Sequence, residues 1–368
     1  MTATAGARNM LLNCANARPG ERVLIAYEPP EFGYFDARVL NTVTRVAHDI
    51  GLRVTTVNVG FDPHARSLPE PLRMQIEKVD IVIFLARLGD QLRFRAMPEG
   101  KRIVVSFALD VGLLGSGFGT TSHTAMVALK DLITETFAQA RSVQVTCPNG
   151  TEFGGTPHMP DTRGGDTNIL RFPMSVFKPV PAHSFSGKVA LCGFLTGTGS
   201  HYYEGYTVEF EGRVLAHFRQ GRLLGFGGSA RDVAAANAHY DRVATRLGVD
   251  RDCVHSWHAG IHPGCGYEQR ASENYERWSG AAFGNPRLLH FHTCGDYAPG
   301  EISWNVLDPT ILIDGVPVWE NGVFHPSRLA GGQGILDRYP DAARIFAHPD
   351  AHVGLRDQDA PSMLDAMS

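Results

Sequence analysis

Four of the sixteen histidines lie in one stretch, between Ser256 and Gly315. His258 and His262 form a His-xxx-His pair, and His290 and His292 form a His-x-His pair. Imidazole is the commonest metal ligand and the usual acid or base near neutral pH. Because side chains alternate along a strand, a His-x-His pair on a strand directs both rings to one face. The second pair therefore indicates a metal site. The first pair would share a face only on a helix, which a glycine and a proline in this segment disfavour.

A metal site in this stretch has several possible ligands. The donors that could hold Fe(II) or Zn(II) are His258, His262, His290, His292 and Asp296. Glu301 could act there as a base, or it could be a solvated loop carboxylate.

Two interpretations without a metal stay open for the same histidines. In the first, they are pocket or loop histidines whose rings hydrogen-bond to the backbone. In the second, Cys294 or Ser303 is a nucleophile that His292 activates. Proximity in sequence does not establish the geometry that such a pair needs, so the sequence does not choose among these interpretations.

The length and composition of the chain predict a globular protein of two domains. It has 368 residues, 43% of them hydrophobic and 20% charged, and its formal net charge is −4. The chain has no stripe of basic residues that would indicate nucleic-acid binding, and no apolar run of membrane-spanning length. Its N-terminus lacks the pattern of a signal peptide. The six cysteines are scattered without a Cys-x-x-Cys motif, which indicates reduced thiols. These features together predict a cytoplasmic protein that binds neither nucleic acid nor membrane.

Strand and helix patterns alternate through the first part of the chain. Apolar runs predict strands at 21–27, 53–59, 80–85 and 102–107, and helical spacing recurs at 36–50, 69–78 and 122–141. This alternation predicts an α/β N-terminal domain, residues 1–141, with a mainly parallel sheet.

Ligands of such sheets bind beyond the carboxyl ends of the strands. Tyr27, Glu28, Arg87 and Asp90 follow predicted strands there, either as ligand-binding or as solvated loop residues. The glycine-rich segment 115–119 lacks the spacing of a phosphate loop and predicts a flexible connection.

Residues 142–350 are predicted to form an α+β domain rich in antiparallel strands. Short strands alternate with glycine turns, and an amphipathic helix is predicted over 230–247. Asp314-Gly315 is a strong hairpin signal, and Glu211-Gly212 predicts a second hairpin turn. Residues 351–368 are charged and poor in hydrophobic residues, which predicts a loose tail.

The order of several segments resembles one family. The segments are 12–25, 80–83, 143–151, 172–177, 210–214 and 308–322. Their order is similar to that in the thermophilic metallo-aminopeptidases of the aminopeptidase T type and in an iron-dependent relative, 2,5-dihydroxypyridine 5,6-dioxygenase. The resemblance spans most of residues 8–325. It implies an α/β domain, an antiparallel domain around a metal site, and a homodimer.

At the metal positions that the resemblance implies, this chain departs from the family. Ser175 stands where the family has an acidic residue, and His258 stands where the peptidases have Glu and the dioxygenase has His. A family histidine falls near His290 or His292, and Ser303-Trp304-Asn305 replaces a His-x-Asp motif. A facial triad for iron needs two histidines and one carboxylate, and neither Ser nor Asn carries the charge that holds a divalent ion. The resemblance therefore implies a degenerate site without a cofactor.

These observations favour a binding protein on this fold. The residues expected to hold its peptide or small aromatic ligand are Trp257, His258, His292, Ser303, Trp304, Asn305 and Ser175. Degenerate members of the family resemble precursor-peptide-binding accessory proteins of ribosomal-peptide natural-product pathways, which implies a partner enzyme. The alternative is a metal-dependent enzyme with a rebuilt histidine-rich site. It would open the ring of a hydroxylated heteroaromatic compound with O2 or hydrolyse peptide bonds.

Overall fold

The computed structural model describes residues 2–159, 167–296 and 300–355. The strands within these ranges form three β-sheets. Five strands form the parallel sheet. Six strands form a second sheet, named the histidine sheet because His258, His290 and His292 lie on it, and eight strands form a third, named the large sheet. The second and third sheets are antiparallel. The predicted fold class, an α/β part followed by a part rich in antiparallel strands, is confirmed.

Four of the five strands of the parallel sheet form where the apolar runs of the first half predict them. In spatial order its strands are Arg53–Asn58, Arg22–Tyr27, Ile81–Leu85, Arg102–Ser106 and Leu170–Phe172. Every residue of Ile81–Leu85 is buried, as expected of a central parallel strand covered on both faces. The edge strand Leu170–Phe172 comes from beyond residue 142, so the second half of the sequence contributes to this sheet.

The two antiparallel sheets pack face to face through aromatic side chains. The histidine sheet consists, in order, of Val208–Glu209, Phe194–Gly197, Ile302–Leu307, Leu288–Thr293, Val254–Ala259 and Val180–Pro181. The large sheet consists, in order, of Arg222–Gly227, Leu215–Arg219, Phe185–Ala190, Glu152–Gly155, Val143–Thr146, Thr310–Ile313, Val316–Glu320 and Val323–Phe324. The Trp257 ring of the histidine sheet lies 5.4 Å from that of Phe153 and 5.5 Å from that of Phe185, both in the large sheet. This aromatic layer covers one face of the histidine sheet, and the opposite face does not take part in it.

The long helices begin at capping side chains. Asp36, Ser122 and Ser229 each accept a hydrogen bond from a backbone N–H in the first turn of their helix. Those helices are Ala37–Asp49, His123–Gln139 and Ala230–Leu247. The shorter ones are Ala3–Arg8 (continued by a π-helical turn, Asn9–Cys14), Glu70–Ile76, Arg87–Gln91, Val111–Gly115, Gly117–Thr120, Tyr275–Ala281, Gly332–Arg338 and Pro340–Ala347. Within the described ranges, no helix has both the length and the apolar character needed to cross a membrane.

One predicted hairpin is confirmed and the other is wrong. Asp314 and Gly315 have φ values of 48° and 82°, and they join two antiparallel strands of the large sheet. The strands before and after Glu211-Gly212 pair in different sheets. The N–H groups of both residues instead donate to the Asp232 carboxylate, which holds the chain where it passes from one sheet to the other.

Two segments predicted to be loose are packed. The glycine-rich segment 115–119 is helical on either side of Ser116, and a Cβ at Gly119 would lie 2.2 Å from the carbonyl oxygen of Leu114. Glycine at position 119 therefore allows the chain to pack closely against Leu114, and it does not mark a flexible connection. In the predicted tail, Val353 is buried and pairs with Tyr267. The remainder of that tail, 356–368, lies outside the described residues.

A buried arginine joins the two halves of the molecule. The Arg87 guanidinium follows a strand of the parallel sheet and binds the buried Glu28 carboxylate. Its Nη1 atom also donates to Glu276 at 2.6 Å, on a helix of the second half. The guanidinium carbon lies 3.3 Å from the centre of the Phe61 ring. Glu28 and Arg87 are therefore buried and paired with each other, so the interpretation of these two as solvated loop residues is wrong.

Replacing Arg87 with methionine is expected to lower the free energy of unfolding by about 3 kcal/mol or more, because it leaves the Glu28 carboxylate buried without its partner. The control is Arg45→Met, which breaks the exposed pair with Asp49 and is expected to cost less than about 1 kcal/mol. Urea denaturation followed by circular dichroism measures both. Equal effects of the two substitutions would contradict a role for Arg87 in joining the halves.

Candidate metal site and pocket

The free face of the histidine sheet brings three histidines together. His258 pairs with His290 across neighbouring antiparallel strands, and His292 lies two residues further along the same strand as His290. One ring nitrogen from each of the three lies within 4.8 Å of the other two, and all three side chains are buried. The alternation predicted for the His-x-His pair is thus what places two of these rings on one face.

Hydrogen bonds orient the three rings. Nδ1 of His258 lies 2.8 Å from the Phe177 carbonyl oxygen, which can only accept, so Nδ1 carries a proton. Nε2 of His258 lies 2.7 Å from Nε2 of His290. Nδ1 of His292 lies 3.1 Å from the Ser256 hydroxyl. A histidine held through one nitrogen so that the other is presented to the site is the usual arrangement around a metal ion.

The local environment keeps the rings of His290 and His292 uncharged. Burial lowers the pKa of His290 and of His292 well below the usual range for histidine, and repulsion from neighbouring histidines lowers it further. Neutral imidazole is the form that binds metals. Nδ1 of His290 is also buried without a hydrogen-bond partner in the described structure. The donor set therefore fits a metal ion with three nitrogen ligands and open positions, as in catalytic zinc sites with three histidines.

Neutral polar residues flank the histidines on the same face. Ser303 pairs with His292 and Asn305 pairs with His290 on the next strand. The Ser303 hydroxyl donates to Oδ1 of Asn305 at 3.1 Å, and Nδ2 of Asn305 is buried without a partner in the described residues. Both positions therefore adjoin the histidine group, although within the described ranges that group includes no carboxylate.

Other residues predicted for the site lie apart from it. Trp257 and Trp304 point to the opposite face, in the aromatic layer between the sheets, where Nε1 of Trp304 donates to the Tyr240 hydroxyl at 2.6 Å. His262 is buried against the Phe118 ring, at a centroid distance of 5.0 Å, and the exposed Asp296 lies beyond the end of its strand. Neither belongs to the histidine group. The alternation that joins the histidines is what separates the tryptophans from them.

The histidines open into a pocket between the parallel sheet and the histidine sheet. Its volume is about 820 Å³, including space continuous with solvent. Side chains from both halves line it, among them Tyr34, Asp90, Arg93, Phe94, Phe107, Phe118, Arg171, Ser175, Tyr202, His258, Phe283, His290 and His292. Ser175 and Asp90 are sequence candidates that the structure brings to this pocket. Arg93 and Arg171 also line the pocket and were not predicted from the sequence. Arg93 lies near the carboxyl end of a parallel strand, and the rule that selected Asp90 could have found it.

The structure gives no support to a cysteine nucleophile. Cys294 lies in the apolar core, and burial raises the pKa of its thiol to about 12, so the reactive thiolate is scarce. Ser303 donates its proton to Asn305 and not to His292.

Glu301 is not a solvated loop carboxylate. Its side chain is buried, with Oε1 at 2.7 Å from Nδ1 of His201 and Oε2 without a partner in the described structure. Burial raises the pKa of Glu301 to about 7, against the opposing attraction of Arg66 and Arg93. Glu301 does not line the pocket, so it acts by holding His201 in the loop beside the pocket.

No family model and no curated protein matches the chain. Among solved structures it is similar to 2,5-dihydroxypyridine dioxygenase from Pseudomonas putida KT2440, with a TM-score of 0.58 and 13% identity, over 88% of this chain and 96% of that one. It is also similar to wild-type AmpT from Thermus thermophilus, with a TM-score of 0.49 and 12% identity, over 88% of this chain and 98% of that one. The first likeness shows that the chain has the fold of that dioxygenase.

The buried Glu301 carboxyl should make stability depend on pH. Its pKa is higher in the folded than in the unfolded chain, so its favourable contribution is complete below about pH 4.5 and is lost as pH rises through about 7. Relative to Glu301→Gln, the wild-type free energy of unfolding should fall by roughly 1 kcal/mol per pH unit between pH 5 and 7. Urea denaturation of both proteins at several pH values measures the difference. A difference that does not change with pH would contradict this assignment.

Proposed function

We propose that this protein is a metal-dependent enzyme in which His258, His290 and His292 hold Fe(II) or Zn(II) at the end of the pocket. The observation that carries the proposal is the convergence of three buried ring nitrogens within 4.8 Å. The hydrogen bonds of His258 to the Phe177 carbonyl and of His292 to the Ser256 hydroxyl hold two of these rings in place.

The reaction that best suits this site is oxidative ring opening of a small hydroxylated aromatic or heteroaromatic compound. A bound metal would supply open coordination positions for substrate and for O2 or water. The chain itself contributes orientation, through the Phe177 carbonyl and the Ser256 hydroxyl, and a largely apolar enclosure. The shared fold with a 2,5-dihydroxypyridine dioxygenase supports this class of reaction over peptide hydrolysis by analogy only.

A binding protein without a metal is the second candidate. Two observations favour it: the histidine group includes no carboxylate in the described residues, and the His258–His290 hydrogen bond is complete without an ion. The pocket is enclosed by side chains from both halves, most of them aromatic or apolar, as is usual for small-molecule sites. It therefore supports a small ligand more than the extended precursor peptide of an accessory protein. The homodimer and the partner enzyme stay predictions.

Removing one histidine should separate the two candidates. His290→Ala is expected to weaken Zn(II) and Fe(II) binding more than about 100-fold, because it removes a ligand and not only a supporting contact. His48→Ala, on the exposed face of a helix, is the matched control and should bind like the wild type. Anaerobic titration followed by elemental analysis gives stoichiometry and affinity, with about one metal per chain expected for the wild type.

Trp304→Phe extends the same test to the opposite face of the sheet. It should lower stability through the lost hydrogen bond to Tyr240 while leaving metal affinity unchanged. Failure of the wild-type protein to retain any metal would refute the enzyme proposal and leave the metal-free binding site. Equal metal binding by the wild type and His290→Ala would show that the ion lies elsewhere.

A further inference from the structure

A serine hydroxyl links the histidine group to a fourth histidine. Oγ of Ser256 lies 3.1 Å from Nδ1 of His292 and 2.9 Å from Nδ1 of His255. Ser256 and His292 are buried, whereas His255 is partly exposed and feels the charge of the exposed Asp296. Hydrogen bonds therefore connect a buried member of the histidine group to a ring that water can contact.

An irregularity in the strand brings the side chains of His255 and Ser256 together. Val254 pairs with Thr293 of the neighbouring strand. Ser256 pairs with His292, so His255 is an extra residue opposite a single step of that strand. Successive side chains of a regular strand point to opposite faces, and a β-bulge re-aims one of them. The bulge therefore allows Nδ1 of His255 to contact the hydroxyl of the next residue.

The Ser256 hydroxyl carries one proton, which limits what its two partners can do. Within the described residues, the two Nδ1 atoms are its only hydrogen-bond partners, and Ser256 is 1% exposed. The hydroxyl can donate to one ring and accept from the other. If His255 accepts, His292 donates from Nδ1, and the lone pair of His292 is on Nε2. If His255 donates, the hydroxyl donates to His292, and the proton of that neutral ring is on Nε2.

His255 is suited to be the acceptor. Burial lowers the pKa of His255 below its usual value, against the opposing attraction of Asp296, so the ring is neutral at pH 7.5. A neutral imidazole has one N–H group and one accepting nitrogen. Nε2 of His255 has no hydrogen-bond partner among the described residues, and because the ring is partly exposed, this nitrogen can donate to water. Nδ1 is then left to accept the proton of the hydroxyl.

We propose that His255 is a positioning residue: through the Ser256 hydroxyl it keeps the proton of His292 on Nδ1 and the lone pair of His292 on Nε2. The proposal rests on the proposed function in taking His292 as a metal ligand, and it adds a residue outside the ligand set. A neutral imidazole binds a metal through the nitrogen that has no proton. Hydrogen bonds behind a ligating histidine fix which nitrogen that is.

Nitrogen-15 NMR of the histidine rings tests the proposal in the metal-free protein. It distinguishes protonated from unprotonated ring nitrogens, and the signals that disappear in His292→Asn are those of His292. At pH 7.5 the wild type should have a protonated Nδ1 and an unprotonated Nε2 in His292. A proton on Nε2 would overturn the proposal. Because the spectrum is that of the wild type, this result does not depend on the folding of a His255 variant.

Two substitutions separate the hydrogen bond of His255 from its bulk. His255→Phe keeps a ring but removes the acceptor, so the hydroxyl can donate to His292 and the form protonated on Nε2 should appear. His255→Asn supplies an acceptor oxygen and should restore the wild-type spectrum. Zn(II) should bind roughly 10- to 100-fold more weakly to the Phe variant, and the Asn variant should recover most of that loss. The matched control, His48→Phe on the exposed face of a helix, should behave like the wild type.

The spectra and the Zn(II) titrations separate this proposal from the proposed function. An unchanged His292 spectrum in a folded His255→Phe protein, or equal weakening of Zn(II) binding in the Phe and Asn variants, would refute the positioning role. If the wild type binds about one Zn(II) but has its His292 proton on Nε2, the metal site stands and this proposal fails. If no protein binds metal but the spectra change as expected, the role of His255 stands and the enzyme proposal fails.

Discussion

The alternation of side chains across the histidine sheet is the constraint on which the rest of the molecule depends. Each of its central strands alternates a large aromatic residue with a polar one, as in Trp257-His258, Phe291-His292 and Trp304-Asn305. The aromatic residues pack against the large sheet, which commits the polar ones to the opposite face. A shift of one residue in the register would exchange the two sets and place the histidines in the apolar layer.

Burying the polar face of the histidine sheet would be costly if its side chains had no polar partners. The fold supplies such partners through hydrogen bonds within the sheet and through the residues that face it. Hydrogen bonds such as those of His258 to Phe177 and His292 to Ser256 satisfy one nitrogen of a ring. The parallel sheet supplies the opposite wall of the pocket, with charged residues near the carboxyl ends of its strands. Two of the buried atoms without hydrogen-bond partners in the described residues, Nδ1 of His290 and Nδ2 of Asn305, belong to this polar face.

Contacts between the halves hold the two walls at their separation. Arg87 is buried between Glu28 of the first half and Glu276 of the second, and Tyr34 and Tyr202 near it also line the pocket. The edge strand Leu170–Phe172 also connects the halves, because it belongs to the second half of the sequence and pairs in the parallel sheet. This pairing places Arg171 at the pocket. The dimensions of the site therefore depend on contacts made outside the histidine sheet.

The sequence by itself determined the elements and one part of the site. Apolar runs and helical spacing located four of the five parallel strands and the long helices, because these patterns are local consequences of burial. The period of two along a strand was enough to place His290 and His292 on one face. The same rule, applied to Trp257 and Trp304, would have excluded them from a site that contains His258 and Asn305.

Only the tertiary structure decided which residues meet. The pairing of His258 with His290 depends on strand register, and the separation of His262 and Asp296 from the group depends on where the chain turns after each strand. Glu211-Gly212 has the local signal of a hairpin, but the strands on either side gain more by pairing in different sheets. Arg93 and Arg171 come together from positions 78 residues apart only because the edge strand returns to the parallel sheet. Long-range pairing is a property of the whole chain, and no local pattern encodes it.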